Sequence, residues 1–367
     1  MHSSTSNSSG SVFERSLPEA KRWHQILLGT ILLLTTGLAC MECYARSTGT
    51  PPQFDTTPDL WVTQWYRFEE APNDQTVIIG ASRNKFGLIL NRWEELTKVQ
   101  PIMLAWPGSP PHPVLELLAE DKEFSGTVIC GIAPSFSFAS ADNSSQSYMR
   151  NNISLIDVNR WSLSYHVTIS IQRFLKRNVH CWKPVDYSPL YLLQRLELVK
   201  DRAGVLAPIP AVPWMSHGQD LQSTYRDGSA DNKEMMAQVT AFWRRIMLEQ
   251  EFLGPIDMNQ LLFTYRTCIE KIEGRGGKVI FVRHPSSGRM LEFEKMHYPR
   301  ELYFDRLIVE TGCMGIHFED YPEISEYECP EWSHLLPDDA HDYTEKIIQI
   351  IEGQQTLKES TDVGKPE

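Results

Sequence analysis

Two short segments some 250 residues apart constrain this chain more than anything else in it. Val77-Ile78-Ile79-Gly80-Ala81-Ser82-Arg83 is an apolar run that passes straight into a Gly-x-Ser turn. Glu331-Trp332-Ser333-His334-Leu335 sets a carboxylate three residues before a histidine, just ahead of a helical pattern. A serine is a poor nucleophile at neutral pH unless a base takes its proton, and that base needs a carboxylate to hold its tautomer. Groups so far apart meet readily where an α/β fold gathers its strand ends at one edge. The pair therefore points to a hydrolase or transferase that handles esters or acyl groups.

The intervening pattern agrees with such a fold. Strand-like runs at Thr76–Ala81, Ile102–Trp106, Thr127–Ile132, Lys278–Arg283 and Gly315–Glu319 alternate with helical ones such as Pro113–Ala119 and Pro299–Glu310. This predicts a three-layer α/β/α sandwich on a five-stranded parallel sheet over residues 76–352. A helical insertion, about residues 139–277, interrupts it. It opens with a polar stretch, Ser140–Asn152, read as a mobile loop, and continues with helical patterns at 155–178 and 188–202 and a Pro-rich turn at 207–213. The helix predicted over Asn232–Leu253 carries a Met and aromatic stripe, read as core packing rather than an acyl-chain groove. Another runs from Asp257 and stops at Gly274. Gly274-Arg275-Gly276-Gly277 precedes a strand, whereas phosphate-binding glycine loops follow one, so it reads as a helix cap and turn. The last helix, Asp338–Glu352, leaves 353–367 as a disordered tail.

Upstream, residues 1–22 form a Ser-rich tail ending in Lys21-Arg22, followed by an uncharged stretch within 23–45. Its length matches the roughly 20 residues a helix needs to cross a bilayer. The basic pair predicts a cytoplasmic N-terminus and an extracytoplasmic main domain. A cleaved signal peptide is the rival reading. Residues 46–75, rich in Thr, Pro and Asp, read as a linker above the membrane. The net charge of −12 and the lack of a basic stripe argue against a nucleic-acid partner. Two of the seven cysteines lie in or beside the apolar segment; the other five, Cys130, Cys181, Cys268, Cys313 and Cys329, show no CxxC spacing, and His284, His317 and His341 have no metal-ligand spacing, so neither a metal nor another cofactor is expected.

Taken together, these blocks resemble the SGNH/GDSL hydrolase superfamily, in its membrane-tethered branch. Gly80-Ala81-Ser82-Arg83 stands where the family has its first block. Gly108, in Trp106-Pro107-Gly108-Ser109, matches the second-block glycine. Glu331-Trp332-Ser333-His334-Leu335, followed by Tyr343-Thr344, matches the last block. The resemblance implies a flavodoxin-like sandwich with Ser82 as nucleophile, His334 as general base and then acid, and Glu331 orienting the imidazole. The backbone N–H groups of Ser82 and Gly108 would line the oxyanion hole. It also implies an acylated glycan or other ester as substrate, and a membrane acyltransferase as partner. Arg83, Ser109 and Arg283, at strand ends, are candidates for binding substrate, with a structural ion pair the alternative for the two arginines. Two departures stand out. The acid is Glu where the family has Asp, and Gly131-Ile132-Ala133-Pro134 lacks the third-block asparagine. The second departure leaves a catalytically silent scaffold or glycan-binding subunit as the alternative.

Overall fold

The computed structural model describes residues 20–48, 54–138, 144–181, 214–251 and 256–362. The patterns at 188–202 and 207–213 and the tail before residue 20 lie outside them. Two compact units emerge. One holds residues 1–51 and 179–182, and the other holds the rest of the chain.

The first unit is built on α1 (Ala20–Ser47), whose stretch from Arg22 to Ser47 is long and apolar enough to cross a membrane, with none of its most apolar 18-residue window buried. Near its end Glu42 pairs with Arg46, and its carboxylate accepts the backbone N–H groups of His180 and Cys181 at 3.1 and 2.9 Å.

The second unit begins with α2 (Pro58–Glu69), then β1 (Val77–Ile79), α3 (Ser82–Gly87), α4 (Leu90–Thr97), β2 (Ile102–Met103), α5 (His112–Glu120), β3 (Thr127–Ile132) and α6 (Pro134–Ser137). Next come α7 (Ser144–Arg160), α8 (Leu163–Asn178), an antiparallel hairpin of β4 (Met215–His217) and β5 (Ser223–Tyr225), α9 (Lys233–Glu251) and α10 (Met258–Glu273). The chain closes with β6 (Lys278–Arg283), α11 (Gly288–His297), α12 (Phe304–Thr311), β7 (Met314–His317) and α13 (Pro337–Asp362).

Strands β1, β2, β3, β6 and β7 form one parallel sheet in the order β2-β1-β3-β6-β7. Every residue of β1 and β2 is buried, as are most of β3 and β6, which is why these strands read as continuous apolar runs instead of alternating ones. The helices gather in two groups, α5 with α10 and α12 in one, α3 and α4 with α13 in the other, as a three-layer α/β arrangement requires. The chain runs outward from β1 to β2 and then returns past β1 to β3. The gap between the carboxyl ends of β1 and β3 is therefore the point where the winding reverses, and such a crevice is where open α/β sheets place their chemistry.

Four expectations need correction. Residues 58–69 are not linker. Thr57 caps a helix that starts with Pro58, its hydroxyl accepting the Leu60 N–H at 3.2 Å, and the helix buries Trp61, Val62 and Trp65. Trp61 Nε1 donates to the Leu104 carbonyl at 2.9 Å, tying α2 to the β2 edge. Residues 144–152 are not a loop but the start of α7. Its polar surface hid Met149, Asn152 and Ile156, which are buried at helical spacing. The insertion is not wholly helical, because it contains the β4–β5 hairpin, and α10 belongs to the sandwich itself, packing on α5 and β6. The last helix runs on to Asp362, ten residues beyond the predicted end.

Candidate active site

The first turn of the site is set by steric demands at β1. Gly80 has φ +129°, and a Cβ there would lie 2.6 Å from the Gly131 carbonyl oxygen on β3. Gly131 has the same constraint from the other side, since a Cβ would meet the Asn84 side chain at 1.9 Å. The two glycines let the Asn84 amide fold back over the strand ends. Its Nδ2 donates to the Ile79 carbonyl at 2.9 Å, and its Oδ1 accepts from His284 Nε2 at 2.6 Å. His284 Nδ1 in turn accepts from the Tyr343 hydroxyl at 2.9 Å. Burial holds His284 far below the ordinary histidine value, at about 3, so the ring is neutral, as this donor–acceptor order demands. Beside Tyr343, Thr344 donates to the Gly87 carbonyl and accepts the Ile89 N–H at 2.9 Å. The Tyr-Thr pair of α13 thus fastens both ends of the short helix that begins with Ser82.

The second turn is the loop before α13. Trp332 sits in left-handed backbone, φ +78°, and its N–H donates to the Cys329 carbonyl at 2.8 Å. A left-handed conformation at a bulky residue is costly and persists only where its surroundings enforce it. Here Ser287 N–H donates to the Trp332 carbonyl, and Arg244 of α9 lies over the indole, 5.4 Å from its centroid. The tight turn leaves Glu331 and His334 facing each other. Glu331 Oε1 accepts both the His334 backbone N–H and Nδ1–H, each at 2.7 Å.

The two turns meet. His334 Nε2 lies 2.8 Å from Ser82 Oγ. With Nδ1 protonated towards the carboxylate, Nε2 is left to accept the serine proton. Glu331 is completely buried and His334 nearly so, whereas Ser82 is part-exposed.

Residues of the insertion complete the pair, and sequence reasoning missed them. The Tyr225 hydroxyl of β5 donates to Glu331 Oε1 at 3.0 Å, and Trp243 Nε1 of α9 donates to Oε2. Burial alone would raise the Glu331 carboxyl. The facing imidazole, with the donors on His334, Trp243 and Tyr225, outweighs it and holds the group below the usual carboxylate range. Tyr225, pushed up by burial and by Glu331, stays a donor. Phe86, Trp214 and Trp243 surround the His334 ring at centroid distances of 4.2, 5.7 and 5.8 Å. The Met and aromatic stripe of α9 is core, as expected, and the core it builds is a second apolar cluster that roofs the imidazole. Trp243 was visible only as part of that stripe, and nothing in the sequence singles out Tyr225.

The ladder between β1 and β2 continues beyond the strands, with Leu104 N–H to the Ile78 carbonyl and Trp106 N–H to the Gly80 carbonyl at 2.8 and 2.9 Å. It carries the turn at Gly108, φ +65°, to the same end of the sheet as the Ser82 turn. Three candidates for substrate binding are otherwise engaged. Arg83 and Arg283 are buried on opposite oxygens of Glu294, at 2.8 and 2.7 Å, and Arg83 Nε also reaches Ser333 Oγ at 3.3 Å. Burial would raise Glu294, yet the two guanidiniums hold it low. The structural ion pair is the reading that stands: the arginines bind an internal carboxylate and brace the residues beside Ser82 and His334. Ser109 is buried too, with its hydroxyl donating to the Trp106 carbonyl at 3.0 Å. Comparison of the chain with protein-family models, curated proteins and solved structures gives no match.

Proposed function

We propose that the chain is a membrane-tethered serine esterase or O-acyltransferase that works through an acyl-serine intermediate. The observation that carries this reading is the continuous relay from Ser82 Oγ through His334 to Glu331, with contacts of 2.8 and 2.7 Å, ending in part-exposed serine. In the proposed reaction Ser82 Oγ attacks the ester carbonyl carbon and its proton passes to His334 Nε2. The tetrahedral oxyanion then collapses, breaking the bond to the alkoxy oxygen, which leaves with the proton from His334. A water or sugar hydroxyl, deprotonated by the same imidazole, attacks the acyl-serine carbonyl; the bond to Ser82 Oγ then breaks, that oxygen takes the proton back from His334, and the acid or the transferred ester is released. The N–H groups of Ser82 and Gly108 are the proposed oxyanion donors, each worth about 3–4 kcal/mol by the usual measure of such groups.

The apolar α1 helix supports a tether, and Lys21-Arg22 supports a cytoplasmic N-terminus. We therefore place the substrate outside the cytoplasm, as an acylated envelope glycan or a related ester, with a membrane acyltransferase as the partner that supplies or shares acyl groups. A silent scaffold or glycan-binding subunit is the second reading. It is favoured by Ala133-Pro134 at the end of β3, which offers no side-chain amide, while that of Asn84 is taken up by Ile79 and His284. The purified full-length chain, assayed in detergent on acetyl esters with and without an oligosaccharide acceptor, separates the two. Turnover lost in Ser82→Ala supports the enzyme, with acceptor-dependent product marking transfer. Equal release by wild type and variant supports the scaffold.

A further inference from the structure

Helix α8 is apolar on two opposite faces. Tyr165 and Ile169 are buried on one of them. At roughly 100° per residue, Leu163, Val167, Ile171 and Phe174 fall together on the other. These four are 77%, 48%, 53% and 65% exposed, and Trp161, at the corner between α7 and α8, is 88% exposed. Arg173 and Arg177 border the bare stripe one turn apart and make no ion pair among the described residues. Lys176 is turned inward to Asp55 at 2.8 Å. In a chain with a net charge of −12, this helix contains three cationic side chains and no carboxylate. A narrow apolar stripe with aromatic residues and flanking arginines is the composition of a helix lying in a membrane interface, where guanidiniums reach up to lipid phosphates.

The chain order supports the same occupant. Asn178, the last residue of α8, is separated by one residue from His180 and Cys181, whose N–H groups bind Glu42 close to the end of α1. The stripe is thus linked by a few residues to the end of the helix read as crossing the bilayer. We propose that the exposed face of α8, headed by Trp161, rests in the headgroup layer of the bilayer that α1 crosses, with lipid phosphates as the partners of Arg173 and Arg177. This rests on the membrane-anchor reading and is independent of the catalytic one. A helix held flat in this way would fix the height and tilt of the active-site face above the membrane.

The test uses the full-length chain in vesicles of phosphatidylcholine and phosphatidylglycerol, with an environment-sensitive fluorescent amino acid at one of three positions. Position 33 in α1 reports the anchor, position 171 the stripe, and position 309, 81% exposed on α12, serves as the aqueous reference. The proposal expects position 33 to be quenched by deep lipid-borne quenchers, position 171 by shallow ones, and position 309 only by aqueous iodide. An R173E/R177E double variant should lose most of the lipid quenching at position 171 while keeping it at position 33. If position 171 answers to iodide as position 309 does while position 33 stays lipid-quenched, the inference is wrong although the anchor stands. Shielding of position 171 from both quenchers overturns it in favour of a second copy or of residues 182–213. Failure of lipid quenching at position 33 removes the anchor and the inference together.

Discussion

Glu331 is the acceptor of hydrogen bonds from the His334 N–H, the His334 ring, the Tyr225 hydroxyl and the Trp243 indole. A buried carboxylate so surrounded stays ionised and fixes one imidazole tautomer, which is what a serine base requires. Glu331→Gln keeps the shape but removes the charge and presents an amide where an acceptor is needed. It should cut the rate of Ser82 modification by on the order of 10³–10⁴, with the fold retained by circular dichroism. Trp243→Phe is subtler. It leaves Oε2 without its donor, so the carboxyl should titrate higher, the acid limb of the pH–rate profile should move up, and stability should fall by about 1–3 kcal/mol. An unchanged acid limb in Trp243→Phe would mean that the indole serves packing alone.

Among elements, α3 carries the most conflicting demands. Its first residue is the proposed nucleophile, its second and third enter buried polar networks, and its fifth, Phe86, packs against His334. Lys85 is completely buried, and its Nζ donates to a neutral partner among the described residues, Thr56 Oγ1 at 3.2 Å. Burial pulls its ammonium down to about 7, with Asp220 opposing. A base whose native value lies below its unfolded value costs stability in full below the native value, and the cost fades as pH rises towards the unfolded one. Lys85→Met should therefore stabilise the protein by a few kcal/mol at pH 6 and by progressively less between pH 7 and 10, read as the difference in thermal midpoint in detergent. The elements also show what the sequence can disclose. β1, β3 and β6 were legible because burial on both faces leaves a continuous apolar run. Ser82, Glu331 and His334 were legible because each needs a fixed local spacing. Tyr225 and Trp243 were not, since they reach Glu331 from a hairpin and a helix about 90–110 residues upstream and only tertiary packing brings them there. Arg83 and Arg283 were left open between a ligand and an ion pair because a strand-end arginine looks the same in sequence whether it faces a ligand or Glu294.

At the scale of the whole molecule, neutral histidines, buried at His284 and His317 and half-buried at His217, should set the acid limit. His217, His284 and His317 are all held at about 3, first by burial and then by nearby cations such as Lys85, Arg83 and Arg283. Each has a native value below its unfolded one, so its contribution is complete above about pH 6.5 and drains away as pH falls towards 3. The three together should cost about 4 kcal/mol of stability per pH unit in that window, with Glu331 and Glu294 adding to the loss at its lower end. Cooperative unfolding on acidification, well before general carboxylate protonation, is the expected outcome of a pH titration of near-ultraviolet circular dichroism. A flat profile down to pH 4 would contradict it.

The meeting of the Ser82 hydroxyl with the His334 imidazole is tested most directly by a fluorophosphonate probe, with the adduct mapped by peptide mass spectrometry. The account predicts a single adduct on Ser82 in the wild-type chain, none in Ser82→Ala, and very slow labelling in His334→Gln. Labelling that is absent from the wild type, or that persists unchanged without His334, would contradict it.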